Sequence, residues 1–231
     1  MLEVKQLSFA FGKHQILDEV SFTVGDGQII GLVAPNGTGK TTLLSLLCGL
    51  LPSGKAEINL NGENLKKNRV KFLEQIFFLE SSNHLYYDLN VLDHLKYVEK
   101  MWHSKVNIEE TLAELEMTDY KKKKIKHLSL GMKQHVLLAM YLVSDAKMLL
   151  IDEPLNGLDP TSIQQFEKIF RDLKSQGKSL LVSSHQMDSV GRISDTVFFL
   201  RDQKIQVEEN AGQDMMHEYT SMFLDAEDRH D

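Results

Sequence analysis

Polar and apolar residues alternate where the chain begins. Leu2, Val4 and Leu7 are set apart by Glu3, Lys5 and Gln6, and Val20, Phe22 and Val24 by Ser21 and Thr23. A period near two sends one set of side chains to a core and the other to water. Both segments therefore read as half-buried strands, paired antiparallel. Residues 28–33, 76–79, 148–151 and 179–183 are short runs rich in Leu, Ile, Val and Phe, and they read as further strands. Residues 56–60 form another, ended by an Asn61-Gly62 turn, and residues 196–200 and 204–207 look like a closing hairpin.

Elsewhere the apolar spacing is helical. Residues 42–48 are leucine-rich, with Gly49 and Pro52 as stop signals. Val91, Leu92, Leu95, Val98 and Trp102 share a face, as do Ile108, Leu112 and Leu115. Residues 163–173 and 214–224 read as helices too, and the tail beyond 225 as frayed. Strand–helix alternation predicts an α/β fold with a parallel sheet flanked by helices. An antiparallel β subdomain precedes it, an α-helical subdomain is inserted at about 81–135, and a short helix and tail close the chain at about 213–231.

Composition narrows the classes. The chain has 231 residues, 42% hydrophobic and 26% charged, which suits one large domain or a domain with a lobe. A formal net charge of −7 argues against nucleic acid as a partner. Its one strong basic run is Lys121-Lys122-Lys123-Lys124 with Lys126, either a solvated loop or a contact for a membrane surface or acidic partner. The single cysteine, Cys48, sits in an apolar helix and reads as core filler, which fits a reducing compartment. The first residues lack a signal-peptide profile, and the longest apolar stretch, 43–51, is about half of a membrane span. We expect a cytosolic protein whose membrane part, if any, is another chain.

Chemistry concentrates at strand ends. Residues 28–33 run into Ala34-Pro35-Asn36-Gly37-Thr38-Gly39-Lys40-Thr41, and a helix follows. Backbone N–H groups at a helix start lack partners and attract anions. Gly37 and Gly39 let the backbone approach phosphates, Lys40 reaches the outer ones, and the Thr41 hydroxyl can take a place on Mg²⁺. Ala34 stands where such a loop has glycine, which is tolerable if its φ is negative. Residues 148–151 end in Asp152-Glu153, which places two carboxylates at a strand's C-terminal edge. One can serve a metal and the other a water. Ser129-Leu130-Gly131 opens a helix, Asn156-Gly157-Leu158-Asp159 follows the carboxylates, and His185 ends the next strand.

These motifs, in this order and spacing, resemble the ATP-binding subunits of ABC transporters over about residues 2–224. The resemblance implies a P-loop NTPase core. It makes Ala34–Thr41 the Walker A motif, with Thr42 beside it, and residues 148–153 the Walker B motif. Asp152 and Thr41 then hold Mg²⁺, Glu153 is the catalytic glutamate, and His185 is the switch histidine. Ser129–Gln134 corresponds to the signature, Asn156–Asp159 to the D-loop, and Phe11 to the ring that stacks on adenine. Besides Ala34, the signature and the Q-loop depart from the pattern. The signature's double glycine is Leu130-Gly131, and the Q-loop position is Glu80 instead of Gln. Two like charges 4 Å apart at an effective dielectric of 20 repel by about 4 kcal/mol, so Glu80 must face the metal or turn from the phosphates.

The Leu-Gly-Met signature and Glu80 resemble ABC-2-type exporter ATPases, including those of bacteriocin or peptide-antibiotic efflux and immunity. By resemblance, ATP binds between one P-loop and the signature of a second copy or a close paralogue. The pair drives an integral membrane transporter subunit from the cytoplasmic face of the membrane, with Glu80 as hinge of the helical lobe. The alternatives are an ABC-type ATPase that works without transport and a degenerate nucleotide-gated scaffold. Intact Lys40, Asp152, Glu153 and His185 weigh against the scaffold.

Overall fold

The two alternating segments form one long antiparallel hairpin, β1 (Leu2–Phe11) and β2 (His14–Val24), in the computed structural model, which describes residues 1–185, 187–210, 220 and 223. β2 begins well before Val20. Register shifts after Val4 and Leu7, with Gln6 and Glu19 at φ 52 and 47, break the alternation and bury the neighbours Ile16 and Leu17 together. Bulges of this kind hide a strand from a period-two reading. β4 (Glu57–Leu60) and β5 (Glu63–Asn64) complete a sheet of order β2-β1-β4-β5. Asn61 and Gly62 make the predicted turn, both with positive φ.

The second sheet has the order β10-β9-β3-β8-β7-β6. Its strands are β3 (Ile29–Val33), β6 (Ile76–Phe78), β7 (Met148–Asp152), β8 (Ser179–Ser184), β9 (Thr196–Arg201) and β10 (Lys204–Glu209). All the pairings are parallel except β9 with β10, the closing hairpin. Side chains alternate between two apolar layers. Leu149, Ile151, Leu180 and Val182 join the core under α5 (Leu130–Ser144) and α6 (Pro160–Ser175). Met148, Leu150, Leu181, Ile30 and Leu32 face α1 (Lys40–Leu47) and the antiparallel sheet. Burial on both faces explains why these strands read as continuous apolar runs.

Between β6 and β7 lie α3 (Val91–Met101), α4 (Ile108–Glu114) and α5, which pack together. An Asn90–Asp93 capping box starts α3. The lysine run is tied to the loop before α3, where Ile125 N–H donates to Leu89 C=O and Lys126 pairs with Asp88 at 2.7 Å, and to α4, where Lys121 pairs with Glu109 at 2.5 Å. Two five-residue helices, α2 (Arg69–Leu73) and α7 (Met187–Gly191), carry no periodic face by which to foresee them. Cys48 is buried after α1, and burial pushes its thiol up to about 11, as suits core filler. Of the predicted helix at 214–224, only Thr220 and Phe223 are described, both helical; the rest, and the tail, lie outside the described residues.

Parallel pairing aligns the strand ends. Val33 lies beside Ser184, and Asp152 beside Ser183. The loop after β3, the carboxylates ending β7 and the histidine after β8 therefore share one edge, where ligands of such sheets bind.

Candidate active site

The loop from Ala34 to Gly39 turns the end of β3 into α1. Ala34 is buried and outside the left-handed region, so its Cβ is accommodated, as its reading required. Gly37 and Gly39 do need positive φ, at 83 and 113. A Cβ on Gly39 would also lie 2.4 Å from the Ile16 methyl. Gly39 caps α1 without any side-chain hydrogen bond, which leaves the first N–H groups of Lys40, Thr41 and Thr42 for a ligand. Thr38 Oγ1 donates to Pro35 C=O at 2.8 Å and steadies the loop. Lys40 is 6% exposed; its Nζ donates to Ala34 C=O at 2.7 Å and stands 3.3 Å from Glu153 Oε1.

The carboxylates are held differently. Asp152 accepts from Thr41 Oγ1 at 2.5 Å and from Ser183 Oγ. Burial raises its pKa, and those two hydroxyl bonds oppose the rise. Glu153 sits at φ 46, anchored by its N–H to Ser183 C=O and Oγ. Its side chain spans Lys40 and His185, whose Nδ1 is 2.9 Å from Oε2. Glu153 Oε1 is buried and accepts no hydrogen bond among the described residues. A buried acceptor in that condition suits a water or another hydroxyl. The Thr41–Asp152 pair offers hard oxygen donors, and the described residues hold no cluster of three or more His, Cys, Asp or Glu. One carboxylate and one hydroxyl, completed by phosphate oxygens and waters, fit Mg²⁺.

A cleft of about 350 Å³ joins these groups, with the loop and Glu153 on one side and Phe11, His14 and Ile16 on the other. Phe11 is 53% exposed and stands edge-on to Phe9, an open aromatic face. His14 and Ile16 escaped sequence reasoning; the signal was the hairpin itself, which pairs Phe11 with His14. Of the candidates absent from the cleft lining, Ala34, Pro35, Thr38, Asp152 and His185 adjoin it through the loop, Thr41 and Glu153; Ser129, Gly131, Asp159 and Glu80 are the other four. Ser129 is exposed and caps α5, accepting from Met132 N–H at 3.2 Å. Gly131 is two residues further, the second position of the helix, with Leu158 its nearest neighbour on the Cβ side. Asp159 caps α6 and is held below its ordinary range by the Ser162 hydroxyl. Glu80 is exposed just beyond β6. A larger cavity, about 660 Å³, lies away from the cleft. It is an apolar groove between the end of β6 and α3, with Tyr86, Tyr87, Tyr97 and Trp102 on its walls.

A family model described as ABC transporter matches residues 17–156, which span the P-loop, the Ser129 helix start and both carboxylates. The chain belongs to the ABC transporter family. It is 32% identical to the lantibiotic transport ATP-binding protein SrtF of Streptococcus pyogenes, over 90% of each chain. It is also 32% identical to an uncharacterized ABC transporter ATP-binding protein, MJ1023, of Methanocaldococcus jannaschii, over 87% of this chain and 74% of that one. A solved structure titled as the ATP binding subunit of an ABC transporter superposes with a TM-score of 0.88 at 25% identity, covering 96% of this chain and 99% of the other. This ABC chain is accordingly an ATP-binding subunit that hydrolyses ATP and works with a membrane transporter component. Among its described residues, no helix is long and apolar enough to cross a membrane.

Proposed function

We propose that the chain powers export, and that its cargo is of the bacteriocin or peptide-antibiotic class. The relative named for lantibiotic transport supports that class. In this reading the triphosphate lies against the amides of residues 36–42, with Lys40 on its outer oxygens and the adenine on Phe11. Thr41 and Asp152 hold Mg²⁺, which when bound neutralises charge on the phosphates. Glu80 reaches the metal only if the segment after β6 moves inward. Glu153 takes the proton of the attacking water, oriented by His185 Nδ1–H on its other oxygen. The supporting observation is the convergence of Lys40, Glu153 and His185 within 3.3 Å steps at the mouth of α1.

Ser129, Gly131 and Asp159 stand outside the lining of that cleft. The half-site would thus be completed by a second copy or a paralogue, whose α5 N-terminus brings further unpaired amides to the phosphates. Closure on ATP and opening after hydrolysis would move the helical subdomain, about residues 81–135, with Glu80 at its hinge. The tyrosine-lined groove would receive the membrane subunit, on the cytoplasmic face of the membrane.

Glu153→Gln tests the assignment. Turnover should fall by roughly a hundredfold or more while ATP still binds, and size-exclusion chromatography should show an ATP-held dimer. Ordinary turnover by this variant would remove Glu153 from the reaction.

A further inference from the structure

Three pieces of the molecule meet at one phenol. Tyr141 lies on α5 and is buried. Its Oη donates to Leu150 C=O at 2.5 Å and accepts from Leu79 N–H at 3.3 Å, with Leu79 C=O also at 3.3 Å. β6 and β7 pair directly as far as Phe78 and Leu150. One residue further on, a helix side chain does the joining. Leu79 immediately precedes Glu80, and Leu150 stands two residues before Asp152.

The same phenol touches the groove. Its ring meets Phe77 edge-on at 4.9 Å, and Phe77 meets Trp102 at 4.8 Å. Phe77, Leu79 and Trp102 all line the groove, as does Met140 beside Tyr141. Trp102 Nε1 in turn donates to Ile76 C=O at 3.1 Å, so this wall is fastened to β6. Burial pushes the phenol above its ordinary range, so it keeps the proton it donates.

We propose that Tyr141 is a positioning residue through which filling of the groove is felt at Asp152 and Glu153. The inference rests on the groove being the membrane subunit's docking surface. An occupant pressing on Phe77 and Leu79 shifts the acceptor and donor around Oη. Buried among apolar groups, Leu150 C=O has no water to turn to. β7 therefore follows the hydroxyl, and the carboxylates at its end follow β7. A direct backbone ladder would lock β6 to β7; a side-chain link lets the end of β6 move while remaining connected. A contact chain of this kind becomes coupling only when both ends are seen to respond.

The test compares the chain alone with the complex purified from membranes through a tag on this chain. Tyr141→Phe removes one oxygen and keeps the ring. In the isolated chain, ATP affinity and basal turnover should stay within about twofold. In the complex, stimulation of turnover by the membrane subunit should fall about five- to tenfold. Equal losses in both settings would make Tyr141 a packing residue and overturn the proposal; so would full stimulation. The unmutated protein gives a second readout, since hydrogen exchange of the Leu79 amide should change when the membrane subunit is present. An unchanged rate overturns the proposal without any variant. Tyr97→Asp, on the groove wall, separates the two readings. If it leaves the complex assembled and stimulated, the docking surface itself is wrong. If it abolishes stimulation while Tyr141→Phe does not, only the role of Tyr141 fails.

Discussion

Asp152 carries a conflict between folding and function. Its carboxylate is desolvated, and the hydroxyls of Thr41 and Ser183 compensate only in part, so its pKa in the folded chain is raised. Between the unfolded and folded values the folded chain holds more protons. Its contribution to stability therefore declines as pH rises through that window and stays low above it. Asp152→Asn keeps an acceptor and a donor for the two hydroxyls and removes the charge. Melting at pH 7 without nucleotide should rise by roughly 3 °C, equivalent to about 1 kcal/mol in a chain of this size. The gain should shrink as pH falls from the raised folded value towards the ordinary Asp value of about 3.9, and vanish below it. The same variant should lose the extra stabilisation that Mg²⁺ adds to ATP. A melting temperature that falls at pH 7 would mean the two hydroxyl bonds outweigh burial. The meeting of Lys40, Thr41, Asp152 and Glu153 at one sheet edge was legible beforehand, because each stands at a strand or helix end in a fixed spacing. Tyr141 was not, since a tyrosine in an apolar helix gives no sign of where its hydroxyl goes.

Among the elements, the turn from β3 into α1 depends most on a single position. Gly39 must reach φ 113, and β2 packs Ile16 against the place where a Cβ would go. Gly39→Ala meets both obstacles. Backbone strain of this kind costs on the order of 1–3 kcal/mol, so melting should fall by roughly 5 °C, and ATP affinity measured by titration should weaken with it. A second change, Ile16→Ala, removes the steric obstacle and leaves the dihedral one. It should restore part of the stability and little of the affinity, because the loop amides remain misdirected. Full recovery of both would show that the clash alone matters. The clash was invisible in the sequence, because it joins residues brought together by the β1–β2 hairpin, whose bulges at Gln6 and Glu19 break the alternation. The central strands were legible because two-sided burial makes them apolar throughout. So were α3 and α4, whose spacing repeats over two or more turns. One-turn helices such as α2, with Phe72 its one buried residue, offer no period to detect.

Across the whole molecule, the α5 N-terminus stands outside the cleft lining, and the proposed pairing of chains gives the two separate tasks, which makes a prediction. Each P-loop would serve one nucleotide and each signature the nucleotide of the other copy. Lys40→Ala should disable the first function alone. Gly131→Asp should disable the second alone: its Cβ has room, with Leu158 3.9 Å away, and a carboxylate in the first turn suits the helix while repelling phosphate. Either variant by itself should be inactive, since every site in its dimer lacks one wall. Mixed in equal amounts and allowed to exchange, half the dimers are hybrids, each with one intact site and one doubly defective. If sites act independently, activity should return to roughly a quarter of the unmutated level, read as phosphate release per chain. Recovery requires that residues from two chains meet on one nucleotide. A mixture no more active than its parents would mean that each chain completes its own site, and the exposed position of Ser129 would then need a different explanation.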